Sequence, residues 1–196
     1  MDMFDRINTG SKTANKAEIR RGALAGPFMN LVIALAQTEP FVSLSPMTRK
    51  RVDEREREEL VARFFAYSDG LSEYRDRPAQ FVFEYTKKMN LAFAERPEME
   101  ANYRRRFQDT MEFVERVFPF GFRRAATGNA TPRARFEAIA IGSWLALEQE
   151  PDLVPGDVSG WLVAKDFADV TGSDGANALR RLRERMAFVT DHLLAE

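Results

Sequence analysis

The most unusual chemistry of the sequence lies near its N-terminus, in the run Phe4-Asp-Arg6-Ile-Asn8-Thr-Gly10-Ser-Lys12-Thr. A short strand, a Thr-Gly-Ser turn and a helix from about residue 16 would direct backbone amides and the Lys12 side chain toward an anion. A Walker A loop is excluded, because Asp5 stands where its upstream glycine is required. The alternative is a tight turn at Asn8 and Gly10 without a ligand.

Arginines are grouped at several places, and three of them, Arg104, Arg105 and Arg106, are consecutive. Arginines on one surface would attract a nucleic-acid backbone. The alternative is a solvated helix face, because acidic residues accompany many of the arginines at helical spacing. One arginine of the triplet must lie near the apolar stripe of its helix, where it either extends to water or pairs with a carboxylate.

Residue types needed for many catalytic and metal sites are scarce. The sequence has one histidine, His192, and no cysteine. This excludes a disulfide framework, a cysteine-based zinc site, a cysteine nucleophile and a two-histidine mechanism. His192 lies in the last turn of a predicted helix and is assigned no catalytic role. The acidic stretch 53–59 is interpreted as a first helical turn, so no metal and no cofactor are predicted.

The overall composition predicts a soluble, globular chain. Of 196 residues, 44% are hydrophobic and 30% charged, with 29 Lys+Arg against 30 Asp+Glu. Such a chain can bury a core without disulfides or metal, and its net charge of −1 creates no general attraction to nucleic acid or to an anionic membrane. The N-terminus lacks signal-peptide features, and the longest apolar stretch, 28–36, is too short to span a bilayer. A cytoplasmic location without membrane contact is expected.

The elements that would position these residues are almost all helical. Apolar residues repeat every three or four positions over most of the chain. Prolines or capping residues mark the helix starts at Pro27, Asp53, Pro78, Pro97 and Thr131-Pro132. The helix from Pro78 is apolar almost all round, so we expect it to be buried in the middle of the domain. The segment 39–47 is predicted to be a loop because it contains two prolines.

The C-terminal part is predicted to hold a short helix at about 161–170 and a last helix from about Gly175. The last helix carries a regular apolar stripe at Leu179, Leu182, Met186, Val189 and Leu193. The predicted fold is all-α, a multi-helix bundle of about seven to eight helices with at most a short N-terminal strand remnant. Its divisions are a strand and turn at 1–15, a helical domain at 16–149, a hinge or linker at 150–160, and C-terminal helices at 161–196 that pack on the same domain.

Several segments of the chain resemble one large prokaryotic family. The densest match comprises Phe4-Asp-Arg6-Ile7-Asn8-Thr9-Gly10, Glu18-Ile19-Arg20, Gly26-Pro27-Phe28 and Leu31, and looser matches are Arg63-Phe64-Phe65-Ala66 and Arg133 to Ala138 with Phe136. These residues are similar to those of the GmrSD-type family, which is related to the ParB/sulfiredoxin-like fold. The family occurs at the N-terminus of modification-dependent restriction enzymes and other phage-defence proteins, and the resemblance covers most of the chain.

The resemblance implies roles for seven N-terminal residues. Nucleotide or phosphate contacts would come from Arg6, Asn8, Lys12 and Arg20, and the loop would be positioned by Phe4, Gly10 and Glu18. The family's nucleotide-handling signature, Asp-Gly-Gln-Gln-Arg, precedes this block in its members and does not occur in this sequence. A His-Asn-His nuclease motif is also excluded, and Ser11 and Ala14 stand where the family has a glycine and a leucine.

We therefore expect a non-catalytic helical module of a restriction or phage-defence protein. It would complete or regulate a ParB-like NTPase domain and contact DNA or a partner subunit. The chain would be a natural truncation, a split-gene subunit or an excised domain. A different hypothesis is a stand-alone interaction protein that forms a homodimer through the C-terminal stripe, since such a stripe can pack within one chain or between two. Nucleotide turnover by this chain alone is not expected.

Overall fold

The structure is a computed structural model that describes residues 24–195. Within this range it contains ten helices and no strand, which confirms the all-α prediction for these residues. The predicted strand remnant and nearly all of the predicted first helix lie outside the described residues. The helices are α1 (Pro27–Leu35), α2 (Phe41–Leu44), α3 (Arg49–Asp53), α4 (Glu56–Ser68), α5 (Pro78–Glu95), α6 (Met99–Val117), α7 (Arg133–Phe136, a π-helical Glu137–Ile141, and Gly142–Gln149), α8 (Ser159–Leu162), α9 (Lys165–Val170) and α10 (Leu179–Leu194).

Short helices account for the difference between ten helices and the predicted seven to eight. The predicted loop 39–47 contains α2, because Pro40 precedes the helix, where no backbone donor is needed. Asp53 ends α3 and does not cap α4; the left-handed residue Arg55 (φ 61°) separates the two helices. The predicted helix at 161–170 is divided into α8 and α9.

Edge-to-face aromatic contacts join α1 to the central helices. Phe28 is fully buried, and its ring centroid lies 5.7 Å from that of Phe65 in α4, 5.3 Å from that of Phe93 in α5 and 6.2 Å from that of Tyr103 in α6. Such pairs stabilise a core by about 0.5–1.5 kcal/mol each beyond the burial of their surface. Pro27 opens α1 as predicted and brings Phe28 into this position.

Helix α5 lies at the side of the bundle, which contradicts the prediction that it is buried all round. Its fully buried positions, Val82, Thr86, Met89 and Phe93, follow helical spacing and form one face. On the other side Leu91 is 63% exposed. Helix α5 therefore has more apolar residues than the bundle buries.

Helices α7 and α10 pack closely through most of the length of α10. A Cβ at Gly142 would stand 2.7 Å from Cβ of Val189 and 2.9 Å from the Met186 carbonyl oxygen, so this contact requires a glycine. Four of the five residues of the predicted stripe are buried, namely Leu182, Met186, Val189 and Leu193. A homodimer through the stripe would require α10 to leave α7.

Other connecting residues are tied to the body of the protein. Thr131 does not cap α7 as predicted; its hydroxyl donates to the Pro46 carbonyl oxygen at 3.1 Å. The stretch between α7 and α8 lacks helix, and Leu153 and Val158 within it are buried.

None of the helices in the part of the chain that the structure describes is long and apolar enough to cross a membrane.

Candidate functional site

A cleft of about 820 Å³ opens between the C-terminal end of α4, the loop 69–77 and one side of α5. Arg106 of α6 and Glu148 of α7 complete its lining. Ligand pockets usually measure about 300–1,000 Å³, so the cleft has the size to accept a small molecule or the side chains of a partner protein.

One wall of the cleft contains a group of polar residues, Ser68, Asp69, Tyr85, Tyr103 and Arg106, which we call the Asp69 cluster. Oδ2 of Asp69 accepts hydrogen bonds from the hydroxyls of Tyr85 and Tyr103, the second at 2.7 Å. Oδ1 accepts a hydrogen bond from Nη1 of Arg106 at 2.5 Å, and Nη2 of Arg106 donates to the Ser68 hydroxyl. Three donors thus hold one carboxylate, which remains 24% exposed.

The local sequence explains why Asp69 is placed at this wall. Helix α4 ends at Ser68, and Gly70 adopts a φ of 119°, which favours glycine and turns the chain away. The side chain of Asp69 is therefore presented at the helix end, where α5 and α6 supply its donors.

Arg106 is enclosed by aromatic rings as well as by the carboxylate. Its Cζ atom lies 4.7 Å from the ring centroid of Trp144, 5.5 Å from those of Phe64 and Tyr103, and 5.6 Å from that of Phe65. Aromatic faces attract a guanidinium group. In the predicted arginine triplet, Arg106 is thus the member that lies near the apolar stripe, and it pairs with a carboxylate.

The tyrosine hydroxyls of the cluster act as donors at neutral pH. Burial and the hydrogen bond to Asp69 raise the pKa of Tyr103 to about 12. Burial and the charge of Asp69 also raise the pKa of Tyr85. Both phenols therefore keep their protons, and Asp69, with its two oxygens occupied by donors, is not positioned as a general base. The cluster builds a fixed polar wall and lacks the arrangement of a nucleophile with its base.

The remaining charges of the cleft are open to a ligand. Arg77 and Lys88 line it together with Glu73, Glu84 and Glu148. None of these five side chains forms an ion pair with another residue in the range 24–195. The cleft therefore offers both signs of charge to a binding partner.

A second group of charges is buried and closed, and we call it the Glu137 network: Glu59, Arg63, Glu137 and Arg185. Arg63 donates to Glu59 through Nε and to Glu137 Oε1 through Nη1, both at 2.7 Å. Arg185 Nη1 donates to Glu137 Oε2, also at 2.7 Å. The side chains of Arg185 and Glu137 are 1% and 3% exposed. Two acids and two bases balance in this network, which joins α4, α7 and α10.

Backbone geometry places Glu137 between its two arginines. It is the first residue of the π-helical turn within α7, a rare geometry that changes the direction of side chains along a helix. Burial alone would lower the pKa of Arg63, but Tyr67, Glu137 and Glu59 together raise it above its usual value. Arg63 therefore stays charged, and each of the four side chains already has a partner, so none is free to act in catalysis.

The predicted phosphate-binding and loop residues cannot be compared with these sites. Arg6, Asn8, Lys12, Arg20, Phe4, Gly10 and Glu18 all lie outside the described residues. Of the predicted nucleic-acid contacts, Arg104 pairs with Glu100 at 2.6 Å and Arg105 is exposed, whereas Arg106 points into the Asp69 cluster. Contact of Arg104 and Arg105 with nucleic acid stays a prediction.

Sequence patterns did not reveal the Glu137 network, nor which carboxylate pairs with Arg106. Glu56, Glu58 and Glu59 lie in the first turn of α4 as predicted, but they are buried, and Glu56 pairs with Arg133 at 2.5 Å. The position of Arg63 within the apolar run of α4 was a sequence feature that could have indicated a buried charge pair. Within residues 24–195 no group of three or more His, Cys, Asp or Glu side chains is arranged to hold a metal ion.

Comparison of the chain with family models, with curated proteins and with solved structures finds no match.

Proposed function

We propose that this chain is the helical module of a GmrSD-type restriction or phage-defence protein, and that it completes or regulates a ParB-like NTPase domain without catalysing hydrolysis itself. The NTPase domain belongs either to the same polypeptide or to a partner subunit. DNA is the further partner that this class of protein implies.

The observation that carries the proposal is the way in which the resembling segments meet in space. Phe28, from the first segment, contacts the ring of Phe65 in the second, with centroids 5.7 Å apart. Arg63, also in the second, pairs with Glu137 in the third at 2.7 Å. Segments that are far apart in the sequence thus share one core, as expected if the resemblance reflects a common helical fold.

The charges of the cleft favour a protein partner at that position. Four acidic and four basic side chains line it, so it has no excess of positive charge for a nucleic-acid backbone. A mixed surface instead suits a partner with complementary charges. The eight residues are Asp69, Glu73, Glu84, Glu148, Arg75, Arg77, Lys88 and Arg106. We therefore assign the contact with the NTPase domain to the cleft.

The first test is to read the DNA that flanks the coding region for Asp-Gly-Gln-Gln-Arg, in frame or in an adjacent gene. The domain that carries it is then purified, and its nucleotide turnover is measured with and without this chain. We expect this chain to bind the domain and to change its turnover. Absence of both effects would contradict the proposal.

Variants in the cleft and in the N-terminal block test the two proposed contact regions separately. The double variant Glu84→Lys/Glu148→Lys should weaken binding of the NTPase domain by at least about tenfold, because it reverses two charges that the partner meets. Arg105→Glu, an exposed change outside the cleft lining, is the matched control and should bind as the unmodified chain does. Arg6→Ala with Asn8→Ala should reduce nucleotide or partner binding. If nucleotide, DNA and partner binding are all unchanged in that double variant, the proposal fails.

A further inference from the structure

Arg135 is a buried cation that lacks the partner found at the other buried arginines. It lies near the start of α7, and only 5% of its surface is exposed. Its Nη1 atom is 3.5 Å from the Leu162 carbonyl oxygen, at the outer limit of a hydrogen bond. Its Nε atom is buried without any hydrogen-bond partner. Cζ lies 4.8 Å from the ring centroid of Phe167, a contact that offsets part of the cost of burial.

The surroundings of Arg135 make this placement more costly. Arg63 and Arg185 each pair with a carboxylate, but no carboxylate between residues 24 and 195 pairs with Arg135. The charged side chain that acts on Arg135 is a second cation, Arg124. Burial, with a smaller contribution from Arg124, lowers the pKa of Arg135 to about 10. A buried charge without a counter-ion is strongly unfavourable, so this position is prepared for an anion.

The chain that precedes Arg135 supplies positive charge only, and the acid that follows it, Glu137, is already paired with Arg63 and Arg185. The segment 118–136 contains four arginines and neither Asp nor Glu. Arg133 is neutralised by Glu56, and Arg123 donates to the carbonyl oxygens of Phe120 and Ala126 within its own loop. Of the three arginines in the segment that pair with no carboxylate in residues 24–195, Arg135 is the buried one, and Arg124, whose charge acts on Arg135, is exposed at the surface.

We propose that Arg135 and Arg124 form a binding site for the terminal phosphate of a small molecule. Nε of Arg135 has a free donor for a phosphate oxygen, and the exposed Arg124 contributes the second charge. Two cations match the double charge of a phosphate monoester, whereas a DNA phosphodiester carries a single charge. This site lies apart from the cleft and does not depend on the proposed NTPase partner.

The test is a titration of the full chain with inorganic phosphate at constant ionic strength. Tryptophan fluorescence reports binding, because the ring centroid of Trp161 lies 5.4 Å from that of Phe167, which contacts Arg135. Arg135→Met should weaken phosphate binding by at least about tenfold, as expected for the loss of charge-assisted hydrogen bonds. Its melting temperature in chloride should equal or exceed that of the unmodified chain, because the unpaired buried charge is gone. If the role of Arg135 were only structural, the variant would have a lower melting temperature than the unmodified chain.

Two further variants keep the test decisive if Arg135→Met does not fold. Arg124→Ala alters an exposed residue and should weaken phosphate binding several-fold, and Lys87→Ala, which removes an exposed cation of α5, should not alter it. Equal phosphate binding by the unmodified chain and Arg124→Ala would overturn the proposal. So would acetate binding as tight as that of phosphate, or duplex DNA that displaces phosphate at lower concentration than a nucleoside monophosphate does.

Discussion

The Glu137 network and the Asp69 cluster contain the same chemical pair in different surroundings. In each, an arginine donates to a carboxylate at 2.5–2.7 Å. The four side chains of the Glu137 network are between 1% and 7% exposed, whereas Arg106 and Asp69 are 13% and 24% exposed beside a cleft. The distance between the charges is thus nearly equal, and access of water is what differs.

The difference between the two regions shows where a ligand can act. In the Glu137 network each carboxylate is committed to arginines of other helices or other turns, so the network holds the fold. At the cleft, the Asp69 cluster fixes the wall, and unpaired charges of both signs stand around it. The paired charges therefore stabilise the fold, and the unpaired charges lie where a partner can bind.

The largest expected effect comes from removing the shared carboxylate of the buried network. Glu137→Ala should lower the free energy of unfolding by about 3–5 kcal/mol, because Arg63 and Arg185 then remain buried with one acid between them. Asp69→Ala should lower it by less, about 1–3 kcal/mol, since water in the cleft can solvate the donors left behind. Denaturant unfolding of both variants measures the difference. Equal losses would remove the distinction between the two regions.

A smaller effect is expected from alkaline pH, which acts on the tyrosines around both regions. Burial raises the pKa of Tyr74 and Tyr103 to about 12, with further contributions from Glu137 and Asp69 respectively. In the unfolded chain tyrosine titrates near 10. A raised pKa in the folded state means that this stability is complete below about pH 10 and is lost as the pH rises toward about 12.

Absorbance of tyrosinate and the helical circular dichroism signal, followed in one alkaline titration, test this expectation. The two signals should change together, because the phenols ionise as the fold is lost. In Asp69→Asn, the pKa of Tyr103 should fall toward its usual value, while Tyr74 beside the Glu137 network is unaffected. Tyrosine ionisation near pH 10 in a chain that keeps its helices would contradict the assignment.

Helix positions could be predicted from the sequence, and charge partners could not. Pro27 and Pro78 begin helices as predicted, because a proline at a helix start needs no donor and the apolar spacing that follows is local. Arg63 and Glu137, by contrast, are separated by 74 residues, and Asp69 and Arg106 by 37. Periodicity within one helix contains no information on which distant helix packs against it.

One wrong prediction and one missed contact have the same origin. The apolar residues of α5 predicted complete burial, yet the number of neighbouring helices leaves Leu91 exposed. The acidic start of α4 forms the first helical turn as predicted, but its sequence does not indicate that Glu56 is buried against Arg133 from α7. In both cases composition indicates what a helix can tolerate, and packing with distant elements decides what it contacts.

The smallest expected effect concerns Arg104, two residues from Arg106 on the same helix. Its pair with Glu100 spans one helical turn, and both side chains are more than a third exposed. Water and salt weaken such a pair, so Arg104→Ala should change the free energy of unfolding by no more than about 0.5 kcal/mol. Arg106→Ala should cost about 1.5–3 kcal/mol, since it removes a hydrogen bond to a partly buried carboxylate and the contact with Trp144.

Salt separates these two arginines further. Raising the ionic strength should abolish the small effect of Arg104→Ala and leave most of the effect of Arg106→Ala, because partly buried pairs are screened less than exposed ones. Denaturant unfolding of both variants at low and high salt is the measurement. If Arg106→Ala were as mild and as salt-sensitive as Arg104→Ala, the Asp69 cluster would be an ordinary exposed pairing and the fixed wall of the cleft would lose its support. If only Arg106→Ala lowers the free energy of unfolding at high salt, the Asp69 cluster contributes less to stability than the buried network and more than exposed pairs, as its intermediate exposure predicts.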